Sequence, residues 1–335
     1  MRATMSEKQF LEYTNKIEKI GLSMRPKGPF DLASFQTIRK NIEMDLIPSF
    51  KEIVLSFLSS YSKKNIKFPA YNLEQIVNQI SYKYNDYKRR VKNINYYKAN
   101  ALAFTVVIDM LLKNIDKKER ENQLTEEYIR EQWYSLSEMF FYSCVFIRDI
   151  CRYIGEPLKF PIYWGERTEN LIKTSMITQE LLYGCCAQKS IENTKYTVAL
   201  ATIRLMIEVK IRRALGIKGF KTKESITHIP FCTIIKKVKH YYNQGDIRFA
   251  VPLDKVNKIY AMSNLYLHAA IRSYPWYPYV FYEYVKPLIQ PNEWDLRAGI
   301  EIRRSALQSI LNDIAETKEL DCITDERYLA ATFFD

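Results

Sequence analysis

Residues 194–216, TKYTVALATIRLMIEVKIRRALG, decide the fold. The stretch runs from Thr194 to Leu215 with no glycine or proline. Arg212 and Arg213 stand in its last turn, where cations suit the negative end of a helix. Gly216 then supplies the stop. A long helix with abrupt punctuation is the pattern that recurs on both sides of it.

Toward the N-terminus, residues 168–183 read as another helix. Residues 157–167 hold Pro157, Pro161 and Gly165 and form the candidate boundary between two halves. Before them, Thr125 begins a long helix with Trp133, Leu136, Phe140, Cys144, Ile147 and Cys151 at helical spacing, ending at Gly155. Leu73, Ile76, Val77, Ile80, Tyr84, Val91 and Ile94 predict one helix over residues 72–97. A second follows over 99–114. Asp31 caps a helix through Phe35 and Ile42 that Pro48 kinks or restarts. Ser6 caps the first helix, and Gly21 stops it.

Toward the C-terminus, Pro230 precedes a helix with Ile234, Ile235, Val238 and Tyr241. Asp254 caps the next, which reaches about Ser273; Pro275 bars helical geometry at Tyr274. Residues 280–289 and 294–314 complete the set, and residues 319–335 read as an irregular tail. The expected architecture is therefore all-α: an N-terminal helical region over 1–156, a helical bundle over 168–318, and the tail over 319–335.

Composition agrees. Only 9 of 335 residues are glycine, against a usual share of about 7%. Sandwiches, barrels and dinucleotide-binding folds need glycine in turns and phosphate loops, so they are disfavoured. Hydrophobic residues make up 47%, enough to build a core. Lys and Arg number 50 against 38 Asp and Glu, a net charge of +12. That surplus favours polyanionic partners, nucleic acid above all, although a solvated lysine-rich surface has the same composition.

The six cysteines form no CxxC pair, and there are three histidines. No metal and no cofactor are expected, because P-loop, GxGxxG, HExxH and GxSxG patterns are absent. The N-terminus lacks an apolar signal core, and no apolar run is long enough to span a bilayer. A reducing cytoplasmic setting without membrane insertion is the expectation.

One window combines residues suited to phosphodiester chemistry: YAMSNLYLHAAIR, residues 260–272. On a helix Asn264, His268 and Arg272 share a stripe. Imidazole can move a proton at a ribose hydroxyl, and guanidinium can neutralise a phosphorane. An interhelix histidine bonded to a carbonyl would look the same. The string Ser263-Asn264-Leu265-Tyr266-Leu267-His268 resembles the RNxxxH signature of HEPN domains, helical bundles found in toxins, abortive-infection proteins and RNA-guided nucleases. Ser263 stands at the family's arginine position. The preceding helix, from Ala199 to Ile217, is also similar to the opening helix of such domains, so the resemblance covers about a third of the chain. It implies an RNA-directed protein of prokaryotic defence or toxin type, working as a homodimer or with a partner protein. If catalytic, it would cleave RNA without metal, with His268 as acid and base, Asn264 positioning and Arg272 on the phosphate.

Arg204, Glu208 and Arg212 form a second stripe at i, i+4 and i+8. It reads either as a charge ladder along one helix or as support, with Glu208 orienting His268 from a facing helix. Lys83, Lys88, Arg89, Arg90, Lys92 and Lys98 surround several tyrosines in residues 82–98. They suit phosphate contact with base stacking, or an amphipathic helix whose tyrosines are half in the core. Residues 273–284, SYPWYPYVFYEY, read as a core layer. On the rival reading of the chain, a helical scaffold binding a protein partner, Tyr266, Trp276 and Tyr279 lie at the interface.

Overall fold

The computed structural model describes residues 5–20, 32–63, 66–82, 93–155, 188–221, 226–227, 229–269, 274–289, 299–316, 321–324, 329 and 331–335. Of these, 78% are helical, so the chain is all-α with small strands attached. It divides into two compact units, one of Met1–Thr197 with Ala270–Val280 and one of Val198–Ala269 with Phe281–Asp335. The boundary expected at 157–167 lies outside the described residues. The two units meet in sequence at Thr197, and a short later segment, 270–280, belongs to the first.

The first unit holds α1 (Met5–Lys19), α2 (Leu32–Asn41), a π-helical turn (Ile42–Leu46), α3 (Ile47–Ser62), α4 (Leu73–Ile80), α5 (Ile94–Arg120) and α6 (Glu126–Tyr153). A helix restarts at Pro48 as expected, with the proline in the first turn of α3 after a π-helical turn. Ile47 N–H reaches back five residues to the Ile42 carbonyl. The widened turn carries α2 into α3 through a place where Pro48 can donate no hydrogen bond. Lys16 of α1 ties down the turn, donating to Asp45 Oδ1 (2.8 Å) and Ser49 Oγ (2.9 Å).

The single helix expected over 72–97 ends at Ile80. Asn72 starts α4 with a reciprocal capping box to Gln75, and Ser81 turns extended at ψ 133°. Helix α6 begins where the sequence places it, with the Thr125 hydroxyl accepting from Tyr128 N–H. Tyr13 reaches across from α1 to Ser143 of α6 (2.8 Å).

The core of this unit is aromatic. Phe50, Phe104 and Phe140 pack in sequence, with centroids 4.5 and 5.3 Å apart. Trp276 fills the space between Phe104 and Phe146 and stacks on Tyr274 at 4.5 Å and 7°. Its Nε1 donates to Asn100 Oδ1 (3.1 Å), and Asn100 Nδ2 donates to the Tyr96 carbonyl (2.9 Å). Asn100 is fully buried and bonded at both ends of its amide.

The remaining elements are α7 (Gln188–Ala214), β1 (Ile217–Lys221), β2 (Ile226–Thr227), α8 (Phe231–Gln244), β3 (Ile247–Phe249), α9 (Leu253–Ala269), α10 (Trp276–Ile289), β4 (Ile300–Arg303), α11 (Leu307–Glu316), β5 (Asp321–Thr324) and β6 (Thr332–Phe334). The second unit carries two three-stranded sheets, ordered β2-β1-β5 and β3-β4-β6. These strands depart from the expected helix over 294–314 and the expected irregular tail over 319–335. Residues Ile300-Glu-Ile-Arg303 alternate apolar and polar, and Ile300 and Ile302 are buried against the β3 register. Asp254 lies inside the first turn of α9 rather than capping it, and pairs with Lys255 at 2.7 Å.

Among the positive-φ glycines of this unit, Gly245 and Gly299 hold that conformation for different reasons. Gly245 (φ +83°) ends α8 in open space. Gly299 (φ +95°) lies so near α10 that a Cβ there would be 2.5 Å from the Leu288 carbonyl oxygen.

Candidate functional site

In the second unit α7 and α9 carry Arg204, Glu208, Ser263, Asn264 and His268 of the site residues read from sequence. The α7 stripe of Arg204, Glu208 and Arg212 meets Tyr260 of α9. Arg204 Nη2 donates to the Tyr260 hydroxyl (3.2 Å) and its guanidinium stands over the ring, 5.1 Å from the centroid. The hydroxyl donates onward to Glu208 Oε2 over a long 3.4 Å. Glu208 Oε1 accepts from Arg212 Nε (3.1 Å), and Arg212 Nη2 donates to the Ile229 carbonyl (3.0 Å). Phe231 packs on the Tyr260 ring at 4.5 Å.

Both oxygens of Glu208 are therefore engaged. The side chain of His268, which Glu208 was read to orient, lies outside the described residues. Burial, then the Glu208 charge, push the Tyr260 hydroxyl above its ordinary range, while Arg204 pulls it down. Arg212 pairs with the Glu208 carboxylate and Arg204 joins through the Tyr260 hydroxyl, so the cluster holds two guanidiniums and one carboxylate. Arg204 Nε is buried with no hydrogen-bond partner.

On α9, Ser263 is fully buried and its hydroxyl donates to the Ile259 carbonyl one turn earlier (2.9 Å). Asn264 is half-buried, and its Oδ1 is buried without a hydrogen-bond partner. His268 falls in the last turn of α9. Its side chain, that of Tyr266, and all of Arg272 lie outside the described residues. So do Lys83, Lys88, Arg89, Arg90 and Lys92. Lys98 lies on α5, half-buried.

The aromatic stretch 273–284 is core where it is described. Trp276 is wholly buried with its N–H bonded, so it cannot be the interface residue that the scaffold reading required. Tyr279 is half-buried, and burial followed by the Glu138 charge pushes its hydroxyl up to about 12. Burial likewise pushes the Cys144 thiol up to about 12, which leaves it unreactive at neutral pH.

A second polar surface was not legible as such. On the β3-β4-β6 sheet, Ile247, Ile302 and Phe333 share one face by register, while Arg248, Glu301, Arg303, Thr332 and Phe334 share the other. The Arg248 guanidinium lies 4.1 Å from the Phe334 centroid, and that of Arg303 lies 5.6 Å from it. Arg304 stands 5.4 Å from Phe333. Arg248 also approaches Glu301 (3.8 Å), and Arg303 pairs with Asp246. The signal lay in the alternation of residues 300–303 and in the pair Phe333-Phe334.

Among the described residues no group of His, Cys, Asp and Glu could hold a metal ion, and no helix is long and apolar enough to cross a membrane. Compared with protein-family models, with curated proteins and with solved structures, the chain matches none.

Proposed function

We propose that this is an RNA-directed protein of prokaryotic defence or toxin type, in which a HEPN-like C-terminal region serves RNA binding and its cleavage position is altered. Ser263 supports this reading most directly. At the place of the family's arginine stands a hydroxyl with 0% exposure whose proton is donated to Ile259. It can neither reach a phosphate nor neutralise one. The +12 charge and the surplus cation at Arg204, Glu208 and Arg212 support binding to a polyanion.

The test incubates the full chain with labelled single-stranded RNA in EDTA, beside His268→Ala, and reads binding at two salt concentrations. The expected outcome is binding that weakens steeply with salt and no cleavage by either protein. Cleavage by wild type that His268→Ala abolishes would restore the catalytic roles of His268, Asn264 and Arg272. Absence of binding would remove RNA from the reading altogether.

One observation favours the partner-protein reading instead. Leu205 and Val209, one turn apart on α7, are 59% and 39% exposed, large apolar side chains sharing one helical stripe. On that reading Leu205→Asp is expected to convert a complex or homodimer to monomer in sedimentation velocity, with the far-ultraviolet spectrum unchanged. A monomeric wild type that recovers no partner leaves RNA binding as the surviving reading.

A further inference from the structure

We infer that the aromatic rings running from Trp276 to Tyr61 form a relay that moves an electron vacancy from the core of the first unit to its surface, so that one-electron oxidation of the buried indole ends as a tyrosyl radical at Tyr61. The relay is independent of RNA binding. All of its residues belong to the unit of Met1–Thr197 with Ala270–Val280. Tyr274 lies flat on Trp276, with centroids 4.5 Å apart and planes 7° apart, so their π-systems overlap. Tyr274 meets Phe146 at 5.4 Å, and Phe146 meets Tyr97 at 6.1 Å. Tyr97 stacks on Tyr153 at 4.6 Å, and Tyr153 meets Tyr61 at 4.8 Å. Trp276 and Phe146 are wholly buried, whereas Tyr61 is 48% exposed. Packing alone asks only for rings. It does not ask for a phenol seated on a carboxylate at the buried end, nor for a phenol in water at the other.

Both ends carry the proton chemistry that the electron transfer needs. The Tyr274 hydroxyl donates to Asp149 Oδ2 at 2.6 Å, a short bond to a carboxylate. The Trp276 N–H instead points at the Asn100 amide oxygen (3.1 Å), which accepts a hydrogen bond but takes no proton. A one-electron oxidant therefore leaves Trp276 as a radical cation that keeps its proton. Tyr274 gives it an electron and passes its phenolic proton to Asp149, which restores the indole and leaves a neutral tyrosyl radical. An electron from Tyr61 then crosses the Tyr153, Tyr97 and Phe146 rings to Tyr274, which takes its proton back from Asp149. Tyr61 releases its own proton to water. In sum the oxidant gains one electron and water gains one proton. A thiol in solution ends the sequence by giving a hydrogen atom to Tyr61. Tyr153 holds its proton throughout, because burial, then its hydrogen bond to Tyr61, push its hydroxyl above the ordinary range. Without the relay, the oxidised indole would stay in the core and react there.

The experiment photoionises tryptophan in the full chain with a laser flash and follows the radicals by transient absorption. A nitroso spin trap is present, and peptide mass spectrometry maps its adducts and the oxidised tryptophans. In wild type the tryptophan radical is expected to decay as tyrosyl radical appears, with the adduct on Tyr61. Tyr274→Phe keeps the stacked ring and removes the phenol, so the Tyr61 adduct should be lost and oxidised Trp276 should accumulate. Asp149→Asn removes the proton acceptor and should slow the appearance of tyrosyl radical. Tyr61→Phe keeps the ring at an exposed position; it should lose the adduct and raise oxidation at Trp276. Tyr128→Phe removes a half-buried phenol of α6 outside this series and should match wild type. Thermal melting of each variant checks the fold, and if Tyr274→Phe does not fold, Tyr61→Phe decides alone. If Tyr61 carries as much adduct in Tyr274→Phe as in wild type, its radical forms directly and there is no relay. If Trp276 is oxidised equally in wild type and Tyr61→Phe, the vacancy never leaves the core and the inference is overturned.

Discussion

Trp276→Ala is expected to destabilise the unit formed by residues 1–197 and 270–280 by about 4 kcal/mol. The indole is wholly buried and touches Phe104, Phe146 and Tyr274. Truncation leaves a cavity that rings held on α5 and α6 cannot collapse to fill. It also strands the Asn100 carbonyl oxygen, which loses its donor inside the core. Trp276→Phe separates the two effects: it restores most of the ring contact but not the N–H, so its loss should be about 2 kcal/mol. Urea unfolding reads both, as midpoint shifts at unchanged m-value. A Trp276→Ala protein as stable as wild type would mean that residues 274–280 do not close this core.

A comparable effect is expected at Gly299, from backbone rather than side-chain packing. In Gly299→Ala the new Cβ would meet the Leu288 carbonyl oxygen at 2.5 Å and the Leu288 carbon atoms at 3.0 Å. These are main-chain atoms of a helix and cannot rotate aside. Overpacking adds to the strain of a non-glycine residue at φ +95°, and together they should cost about 3–4 kcal/mol. The Gly299 carbonyl also accepts from Ala250 N–H (2.9 Å), so the β3–β4 pairing should loosen first. Gly245→Ala provides the contrast: a similar φ with nothing within 4 Å should cost only about 1 kcal/mol. Hydrogen exchange at Ile247 and Ile302 in the two variants checks the ordering. Equal losses would show that the close approach to Leu288 does not exist.

The helices were legible because their signals are local. Thr125 caps α6, Gly155 and Gly245 take positive φ at helix ends, and Gly216 does so after α7. The strands were not, because they are short and are defined by distant partners. Residues 300–303 are compatible with a helix until Ile300 and Ile302 are set opposite Phe249 and Ile247. The restart at Pro48 was legible because proline removes a donor, but nothing local announces the widened turn that precedes it. At the site, spacing placed Arg204, Glu208 and Arg212 together correctly. Their partner, Tyr260, lies 56 residues from Arg204 in sequence, and helical periodicity says nothing about which helix faces which.

The hydrogen bond from Trp276 to Asn100 spans 176 residues, and that span has a consequence for biosynthesis. A chain emerging vectorially from the ribosome displays the aromatic pocket of Phe104 and Phe146 long before the indole that seals it has been made. By then residues 198–269, members of the other unit, have already been synthesised. Closure must bridge a very long loop, which slows the approach to the native state. Through that interval the nascent protein carries an open apolar cleft, a surface for chaperones to hold and for neighbouring nascent chains to misuse.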